Sequence, residues 1–352
     1  MAKTRIAING FGRTGRCLAM QLYNNSAFEI AAINNRSPIC NTFLITFDSV
    51  YGKFDAQVEL KEKEKQAGRK TIKEKYLQVN KHAIPLFQSE EPIALPWAEL
   101  DIDIVVDATG NFPLLKNISD HCDAGAKNVI MTYPPKQKEI KTIMVGINEK
   151  TYDPQQDRVI SAGSCTGLAL APLLKYLDAE WGVEYCAFLT THCYTDSQNL
   201  LDNANKDPWR SRAGALNIIP TTTGAEHSIP AVLPNLEGKI IGMANRVPTP
   251  VGSQLFLSAE LKKEVTKENV NDYFTLLAQK QAASLIDICA VPACSSYFKG
   301  NPHAVIIDPY WTHAAGKKLR MIAWFDNEWG YAARLVALLE YVSKQNNKKG
   351  WF

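Results

Sequence analysis

Cys165 and His192 are the residues of this chain whose types and settings suit covalent chemistry. Cys165 follows a strand-like run that ends at Ile160, and after it apolar residues recur with helical spacing to about Glu180. At a helix N-terminus, unpaired backbone N–H groups and the helix dipole favour a thiolate over a thiol. Free cysteines are more often small buried hydrophobic residues. Cys165 is therefore a candidate nucleophile, and a buried structural thiol is the alternative.

His192 lies at the end of a predicted strand, Ala187–His192. A histidine at a strand end can act as the base for a cysteine nucleophile, and distance along the sequence neither supports nor excludes such a pair. A histidine considered alone more often has a structural role. We therefore treat His192 as a candidate base, with a structural histidine as the alternative.

An irregular segment, residues 203–224, carries residue types that bind oxyanions. It contains Arg210, Arg212 and the polar turn Pro220–Gly224. Guanidinium groups and hydroxyl groups donate hydrogen bonds directly to phosphate oxygens. The segment is predicted to be an anion-binding loop or an ordered interface loop, and both interpretations can hold together.

A glycine pattern near the N-terminus predicts a dinucleotide site. Arg5–Asn9 reads as a strand, a helical apolar run follows, and Gly-x-Gly-x-x-Gly lies between them. The glycines permit a tight turn and let the backbone approach a pyrophosphate, which would lie on the helix N-terminus. An ordinary glycine turn is the alternative. The predicted cofactor residues of this turn are Gly10, Phe11, Gly12, Arg13 and Thr14.

The residues after the second predicted strand, Glu29–Asn34, bear on which dinucleotide binds. An NAD site normally presents Asp or Glu to the ribose hydroxyls, and that carboxylate would repel a 2′-phosphate. This chain has Asn35, Arg36 and Ser37 instead. An amide, a cation and a hydroxyl can all accommodate a phosphate, so NADP is favoured, with NAD as a further possibility. Arg36 as a solvated surface residue is the alternative.

The remaining pattern predicts an α/β fold class with a doubly wound, mostly parallel sheet that ends near Ser164. Strands are expected at 102–108, directly followed by Thr109, and at 128–132, of which Thr132 is the last residue. Two more are expected at 145–148 and 159–160. Lys61–Lys75 alternates charges of both signs and is most simply a solvated hairpin or loop. No linker is visible, so the second domain is expected to begin at the cysteine stretch.

Composition excludes several classes of protein. The 352 residues are 46% hydrophobic and 21% charged, which suits about two domains. The net charge of +3 indicates neither a nucleic-acid nor a membrane partner. No apolar run has the length of a membrane span, and the N-terminal residues enter a strand pattern without the apolar core expected of a signal peptide. The eight cysteines lack Cys-x-x-Cys spacing, so neither a disulfide framework nor a metal site is expected. A cytoplasmic location is the default expectation.

Two further motifs of the chain are Arg246–Pro250 and Asp326–Tyr331. Together with Ile8–Arg13, Ser164–Thr166 and His192, they resemble the motifs of the phosphorylating glyceraldehyde-3-phosphate dehydrogenase family, from Ile6 to about Leu339. The resemblance implies a Rossmann-type domain over residues 1–164, completed by a C-terminal helix at about 329–352. It also implies an α+β catalytic domain over 165–328 with a mostly antiparallel sheet, and a homotetramer.

The resemblance also implies a reaction. Cys165 would attack the aldehyde of glyceraldehyde 3-phosphate, and His192 would act as general base and then stabilise the oxyanion. Hydride transfer to the nicotinamide would leave a thioester, which inorganic phosphate would convert to 1,3-bisphosphoglycerate. The reaction is reversible, so a place in glycolysis or gluconeogenesis is expected.

Each binding position follows from the same resemblance. The substrate phosphate would lie near Thr195 and Arg246. Asn327 would fix the nicotinamide amide, and Thr109 and Thr132 are assigned to the cofactor site. The residues expected around the attacking phosphate are Ser164, Thr166, Arg210, Thr223 and Gly224.

Departures from the usual pattern leave questions open. The usual stretch reads Ser-Asn-Ala-Ser-Cys-Thr-Thr-Asn, so the substitutions nearest the nucleophile are Ala162, Gly163, Gly167 and Leu168. The last two could change the orientation or the pKa of Cys165. NAD-using members carry a Leu-Pro pair at the positions of Asn203 and Ala204, which is a second reason to expect NADP. The alternatives are an erythrose-4-phosphate dehydrogenase that hydrolyses its thioester and a non-catalytic binding protein on the same scaffold.

Overall fold

The computed structural model describes residues 3–67, 70–111 and 115–348, and the chain forms two compact units. Unit 1 comprises Met1–Thr142, Thr151–Ala162 and Leu335–Phe352. Unit 2 comprises Ile143–Lys150 and Gly163–Arg334. Each unit is therefore built from more than one segment of the chain.

Unit 1 alternates strands with short helices. Its helices are α1 (Arg13–Leu22), α2 (Pro38–Thr46), α3 (Leu115–Ile118) and α4 (Asp120–Asp123), with a 3-10 turn at Pro92–Ala94. Its strands are β1 (Thr4–Asn9), β2 (Phe28–Asn34), β3 (Phe47–Asp48), β4 (Gly52–Lys53), β5 (Val58–Ala67), β6 (Lys70–Val79), β7 (His82–Phe87), β8 (Ile104–Asp107), β9 (Asn128–Met131), β10 (Lys141–Thr142) and β11 (Val159–Ser161).

Within the described residues, nine of these strands form one sheet in the order β10-β11-β9-β8-β1-β2-β7-β6-β5. All neighbours from β10 to β7 are parallel, and β6 and β5 are added antiparallel at one edge. The order reverses at β1, which lies between β2 and β8, and such a switch point opens a crevice at the carboxyl ends of the strands. The predicted doubly wound, mostly parallel sheet is confirmed.

The segment Val145–Asn148 is a turn, so the strand predicted there is wrong. Gly146 has a φ of +86°, which a strand does not adopt, and the side chain of Asn148 accepts a hydrogen bond from Met144 N at 2.8 Å. The apolar Val-Gly-Ile run misled the prediction, because a short apolar run does not distinguish a strand from a buried turn. A 3-10 turn, Glu149–Thr151, follows it.

The charged segment Lys61–Lys75 lies mainly in a hairpin formed by β5 and β6, of which residues 68 and 69 lie outside the described residues. Opposite charges face each other directly across the hairpin. Cross-strand pairs of this kind stabilise an antiparallel ladder modestly. The pairs are Glu62 with Lys75, Lys63 with Glu74, and Glu64 with Lys73.

Unit 2 contains the second large sheet. Its helices are α5 (Cys165–Trp181), α6 (Ala225–Val232) and α7 (Lys267–Gln279), while α8 (Trp329–Lys348) begins in unit 2 and continues in unit 1. Two 3-10 turns lie at Pro234–Leu236 and Ser295–Phe298. Its strands are β12 (Val183–Cys193), β13 (Ile219–Thr221), β14 (Ile240–Val247), β15 (Ser253–Leu261), β16 (Ile286–Ile288), β17 (Val305–Ala315) and β18 (Lys318–Phe325). In the described ranges, no helix is both long and apolar enough to cross a membrane.

The order of this sheet is β13-β14-β12-β15-β18-β17-β16. Most of its neighbouring pairs are antiparallel, whereas β12 with β14 and β16 with β17 are parallel. Alternate residues of β12, among them Phe188, Thr190 and His192, are buried on one face. Because side chains alternate along a strand, this pattern directs His192 to the inner face of the sheet.

Candidate active site

Cys165 is the first residue of α5, and Ser164 is its N-cap. Ser164 has an extended backbone, and its Oγ accepts a hydrogen bond from Gly167 N at 3.1 Å. Gly163 precedes the cap with a φ of +71°, and its carbonyl accepts a hydrogen bond from the Tyr331 hydroxyl at 3.0 Å. The cap and the tyrosine hold the turn that presents Cys165 at the positive end of the helix.

His192 links Cys165 to Arg246. The Sγ of Cys165 lies 3.4 Å from His192 Nε2, and an Arg246 terminal nitrogen lies 2.7 Å from His192 Nδ1. The carbonyl of Cys193 lies 2.8 Å from the same Nδ1 and also accepts a hydrogen bond from Arg246 at 3.1 Å. β12 and β14 pair His192 directly with Arg246, so the sheet register creates this contact.

Two neutral forms of the imidazole fit these contacts. If Nδ1–H donates to the Cys193 carbonyl, the lone pair of Nε2 faces the Cys165 thiol and can accept its proton. If Arg246 donates to Nδ1 instead, Nε2–H points toward the sulfur and can donate a hydrogen bond to a developing anion. The arrangement can therefore serve both proton removal and oxyanion stabilisation.

Burial shifts the pKa values of this group. Burial raises the pKa of the Cys165 thiol, while the charge of Arg246 and hydrogen bonds from Thr166 oppose that rise. Burial, followed by the positive charge of Arg246, lowers the pKa of His192 to about 3. His192 is therefore neutral at physiological pH, and in the form with the proton on Nδ1 its Nε2 lone pair faces the thiol.

Arg210 lies in a hydroxyl-lined loop of unit 2. Two of its guanidinium nitrogens donate to the Thr221 hydroxyl at 3.2 and 2.9 Å, and a third donates to Ser197 Oγ at 3.1 Å. Ser197 Oγ in turn lies 2.9 Å from Thr195 Oγ1. Thr195 and Arg210 thus lie in one polar chain, as an oxyanion site would require.

Thr223 and Gly224 directly precede the helix α6. Gly224 is its N-cap, and Thr223 Oγ1 accepts a hydrogen bond from Ala225 N at 3.3 Å. The start of α6 therefore supplies backbone N–H groups and a hydroxyl, both of which suit an anion.

Asn327 is buried beside the loop that precedes β15. Its Oδ1 accepts from Gly252 N at 3.3 Å and from the Ser253 hydroxyl at 3.4 Å. Ser253 Oγ also accepts a hydrogen bond from Cys193 N at 3.3 Å. Ser253 therefore connects Asn327 to the strand that carries His192.

In unit 1, the glycine turn has the geometry that a pyrophosphate site requires. Gly10 has a φ of +96°, and a Cβ there would lie 2.8 Å from the Ala108 carbonyl carbon. A Cβ on Gly15 would lie 2.2 Å from the Gly10 carbonyl oxygen, whereas a Cβ on Gly12 would meet nothing within 4 Å. Gly10 and Gly15 serve close backbone packing, and Gly12 leaves open space at the start of α1 that fits a phosphate.

Other predicted cofactor residues follow the carboxyl ends of parallel strands in this sheet. Asn35 follows β2, Thr109 follows β8, and Thr132 follows β9. Thr109 donates its hydroxyl to Asp107 at 2.8 Å. Arg36 is exposed, and its carbonyl accepts a hydrogen bond from the Gln88 side chain at 2.7 Å, while Ser37 is exposed at the start of α2.

The side chains of two residues in the predicted glycine turn are occupied by contacts within the protein. Phe11 is 1% exposed in the hydrophobic core, so its backbone alone is available to a ligand. Arg13 forms an ion pair with Asp48 and lies over the ring of Tyr51, with 5.5 Å between the guanidinium carbon and the ring centroid. Thr14 lies in the first turn of α1.

Several residues of these sites were not predicted from the sequence. Ser253 and Ser197 carry no sequence signal, since isolated serines are common. Thr221 lies in the polar turn already identified, so that turn was the available signal. In the described part of the chain, no group of three or more His, Cys, Asp or Glu side chains could hold a metal ion.

Comparisons with known proteins cover most of the chain. Residues 4–114 match the model of the glyceraldehyde 3-phosphate dehydrogenase NAD binding domain, and residues 164–327 match that of its C-terminal domain. The chain is 40% identical to glyceraldehyde-3-phosphate dehydrogenase 2 of Bacillus subtilis, over 97% of both chains. It is 39% identical to the chloroplastic glyceraldehyde-3-phosphate dehydrogenase B of Pisum sativum, over 98% of this chain and 75% of that one.

Proposed function

Because the chain belongs to the glyceraldehyde-3-phosphate dehydrogenase family, we propose that it converts glyceraldehyde 3-phosphate and phosphate to 1,3-bisphosphoglycerate through a thioester on Cys165. The observation that carries this proposal is the contact of 3.4 Å between Cys165 Sγ and His192 Nε2 at the N-terminus of α5. A non-catalytic scaffold would have no need of a buried, neutral base beside a capped thiol. The first unit would bind the dinucleotide, and the second would carry the catalytic residues.

The first step is attack by sulfur on the aldehyde carbon. His192 Nε2 takes the thiol proton while the C–S bond forms, and the carbonyl electrons move to oxygen. The resulting N–H then donates to the oxyanion, and the adjacent charge of Arg246 discourages His192 from retaining its proton. A bound nicotinamide would supply the acceptor for the hydride of the tetrahedral carbon.

The second step is attack by inorganic phosphate on the thioester. A phosphate oxygen bonds to the acyl carbon, the C–S bond breaks, and the sulfur leaves as a thiolate at the helix N-terminus. Ser164, Thr166, Arg210, Thr223 and Gly224 would bind the attacking phosphate. Thr195 and Arg246 would bind the phosphate of the substrate, whose negative charge suits the Arg246 guanidinium.

The cofactor is a nicotinamide dinucleotide, and NADP is the preferred form in this proposal. Gly12 leaves room for the pyrophosphate, Asn327 would hold the nicotinamide amide, and Thr109 and Thr132 would border the site. Asn35 and the exposed Arg36 and Ser37 provide no carboxylate that would repel a 2′-phosphate. The exposed Asn203 and Ala204 support the same preference through a more polar loop.

Steady-state kinetics with both cofactors test this preference. We expect a kcat/KM at least about tenfold higher with NADP, and Asn35→Asp should reverse the ratio by restoring a carboxylate. Arg36→Ala should lower kcat/KM with NADP and leave the value with NAD unchanged. A large advantage for NAD in the unmodified enzyme would contradict the NADP proposal.

The nucleophile is tested by Cys165→Ser. The substitution should abolish turnover, because a serine hydroxyl beside a neutral His192 is a far weaker nucleophile, and should leave cofactor binding intact. A comparable rate of cofactor reduction by the variant would contradict the mechanism. Turnover that does not depend on added phosphate would indicate thioester hydrolysis, as in an erythrose-4-phosphate dehydrogenase.

A homotetramer and a cytoplasmic location complete the proposal. Ile241 and Met243 lie two residues apart on β14 and therefore on the same face of the second sheet, which we call its outer face. They are 51% and 45% exposed, and this supports association with further copies through that face. Apolar side chains clustered on one face are typical of subunit interfaces. Sedimentation would test the assembly, and cell fractionation would test the location.

A further inference from the structure

Gly167, in the first turn of α5, faces Ser228 of α6. A Cβ on Gly167 would lie 2.6 Å from Ser228 Oγ, and real Cβ atoms essentially never approach another heavy atom within 3.0 Å. Ser228 is 5% exposed, and its hydroxyl donates to the Ala225 carbonyl at 3.3 Å. A side chain at position 167 would therefore require the Ser228 hydroxyl to move.

The same space borders the cap of the nucleophile helix. A Cβ on Gly167 would also lie 3.1 Å from Ser164 Oγ and 3.5 Å from Met144 Cε. Ser164 Oγ accepts its capping hydrogen bond from the backbone N–H of Gly167 itself. Glycine has the greatest backbone freedom of any residue, so contacts from outside α5 must restrict this part of the first turn. Ser228 and Met144 are the side chains outside α5 that border this position.

We infer that Gly167 and Ser228 are a coupled pair, in which Ser228 is a positioning residue that holds the first turn of α5 and thereby sets the reactivity of Cys165. The inference rests on the proposed role of Cys165 as nucleophile. It accounts for the departure at position 167: threonine, the usual residue there, would collide with Ser228. In this chain, the polar group beside the cap comes from α6 instead of α5.

The pair can be tested by a double-mutant cycle on thiol reactivity. The rate at which iodoacetamide alkylates Cys165 would be followed against pH by mass spectrometry of its peptide, for Gly167→Ala, Ser228→Ala and the double variant. Gly167→Ala should slow alkylation at neutral pH about tenfold, because the added methyl displaces the N–H groups that favour the thiolate. Ser228→Ala should move the pH profile to higher pH by a smaller amount.

The double variant decides the matter. With Ser228 Oγ removed, the alanine methyl at position 167 fills the vacated space. The alkylation rate of Cys165 in the double variant should therefore return to within about twofold of that in the unmodified protein. Additive losses in the double variant, or an unchanged pH profile for Ser228→Ala, would overturn the inference. If Gly167→Ala alone does not fold, a double variant that also fails to fold shows no rescue and overturns it as well.

A control variant separates positioning from general loss of stability. Thr266→Ala removes the capping box of α7, in which Thr266 Oγ1 accepts from Asn269 N at 3.2 Å, and should lower the melting temperature without moving the alkylation profile. Alkylation needs neither substrate nor cofactor. The alkylation rate of the double variant could therefore recover even if the unmodified protein does not oxidise glyceraldehyde 3-phosphate. That result would support the coupled pair and reject the proposed function.

Discussion

His192 receives two different hydrogen-bonding partners at one nitrogen, and this arrangement governs the chemistry at the scale of single residues. Arg246 can only donate, whereas the Cys193 carbonyl can only accept. The ring can satisfy one of them at a time, so its Nε2 faces the sulfur either as a lone pair or as an N–H. Removal of the thiol proton requires the first form, in which Nδ1–H donates to the Cys193 carbonyl and the Nε2 lone pair faces the sulfur.

The buried, neutral His192 should leave a signature in the pH dependence of stability. Its pKa is lowered from 6.5 to about 3 in the folded protein, so the unfolded chain binds more protons between these values. Its contribution to stability is therefore complete above about pH 6.5 and is lost as the pH falls toward 3. The slope from this one group is at most about 1.4 kcal/mol per pH unit.

His192→Asn provides the measurement. The difference in free energy of unfolding between the native protein and the variant should be constant above neutral pH and should change steadily as the pH falls below 6.5. Urea unfolding at a series of pH values would report it. A difference that does not vary with pH would mean that His192 titrates normally in the folded state.

Sequence analysis predicted the residue types at the catalytic centre but not their contacts. The contact between Cys165 and His192 depends on the packing of α5 against β12, and that of Arg246 depends on the register of β12 with β14. Both are long-range features that local patterns do not contain. The proposed role of Ser228 could not be predicted for the same reason, since it depends on the packing of α6 beside Gly167.

At the scale of elements, the strand–turn–helix unit formed by β1 and α1 was predictable because glycine spacing reports local backbone geometry. The strand predicted at 145–148 failed because tertiary contacts, not local propensity, shape that turn. A Cβ on Gly146 would lie 2.2 Å from Leu285 Cδ1, and the Gly146 carbonyl accepts a hydrogen bond from Lys175 at 2.6 Å. Both partners are distant in the sequence.

The glycine turn yields a prediction with two contrasting variants. Gly15→Ala places a Cβ against the Gly10 carbonyl oxygen and should destabilise the protein by about 1–3 kcal/mol, although alanine normally favours a helix. Gly12→Ala meets no protein atom and should leave the melting temperature unchanged, yet it fills the space expected for the pyrophosphate. Both variants should bind the cofactor more weakly.

Thermal melting combined with fluorescence titration of NADP would separate the two effects. Loss of stability in Gly12→Ala would show that its open space has a structural purpose. Unchanged cofactor affinity in that variant would show that the pyrophosphate lies elsewhere.

At the scale of the whole molecule, the exposed apolar side chains on the outer face of the second sheet have no covering partner within unit 2. Ile241 and Met243 lie on the face opposite Arg246, with Phe256 and Leu189 between exposed and buried. Sequence analysis assigned no strand to residues 240–247, so neither this face nor the face that α5 covers could be read from the sequence. An apolar outer face predicts a subunit interface.

Met243→Glu should weaken the assembly, because a carboxylate on that face would lose its hydration when a second copy covers it. Sedimentation velocity should show smaller species than the unmodified protein. Leu276→Glu is a matched control, since Leu276 is similarly exposed (48%) but lies on α7. Identical sedimentation of both variants and the unmodified protein would remove this face from the interface.

Helix α8 forms hydrogen bonds with strands β1 and β9 of unit 1. Asn346, fully buried in α8, donates to Asn128 Oδ1 at 2.8 Å and accepts from the Tyr152 hydroxyl at 3.1 Å, while Ser343 Oγ lies 2.6 Å from Thr4 Oγ1 on β1. On a translating ribosome, these partners of Thr4 and Asn128 are synthesised after every residue of unit 2. These contacts of unit 1 can therefore form only after all of unit 2 has been synthesised, whereas β1 can pair with β2 and β8 as soon as those strands emerge.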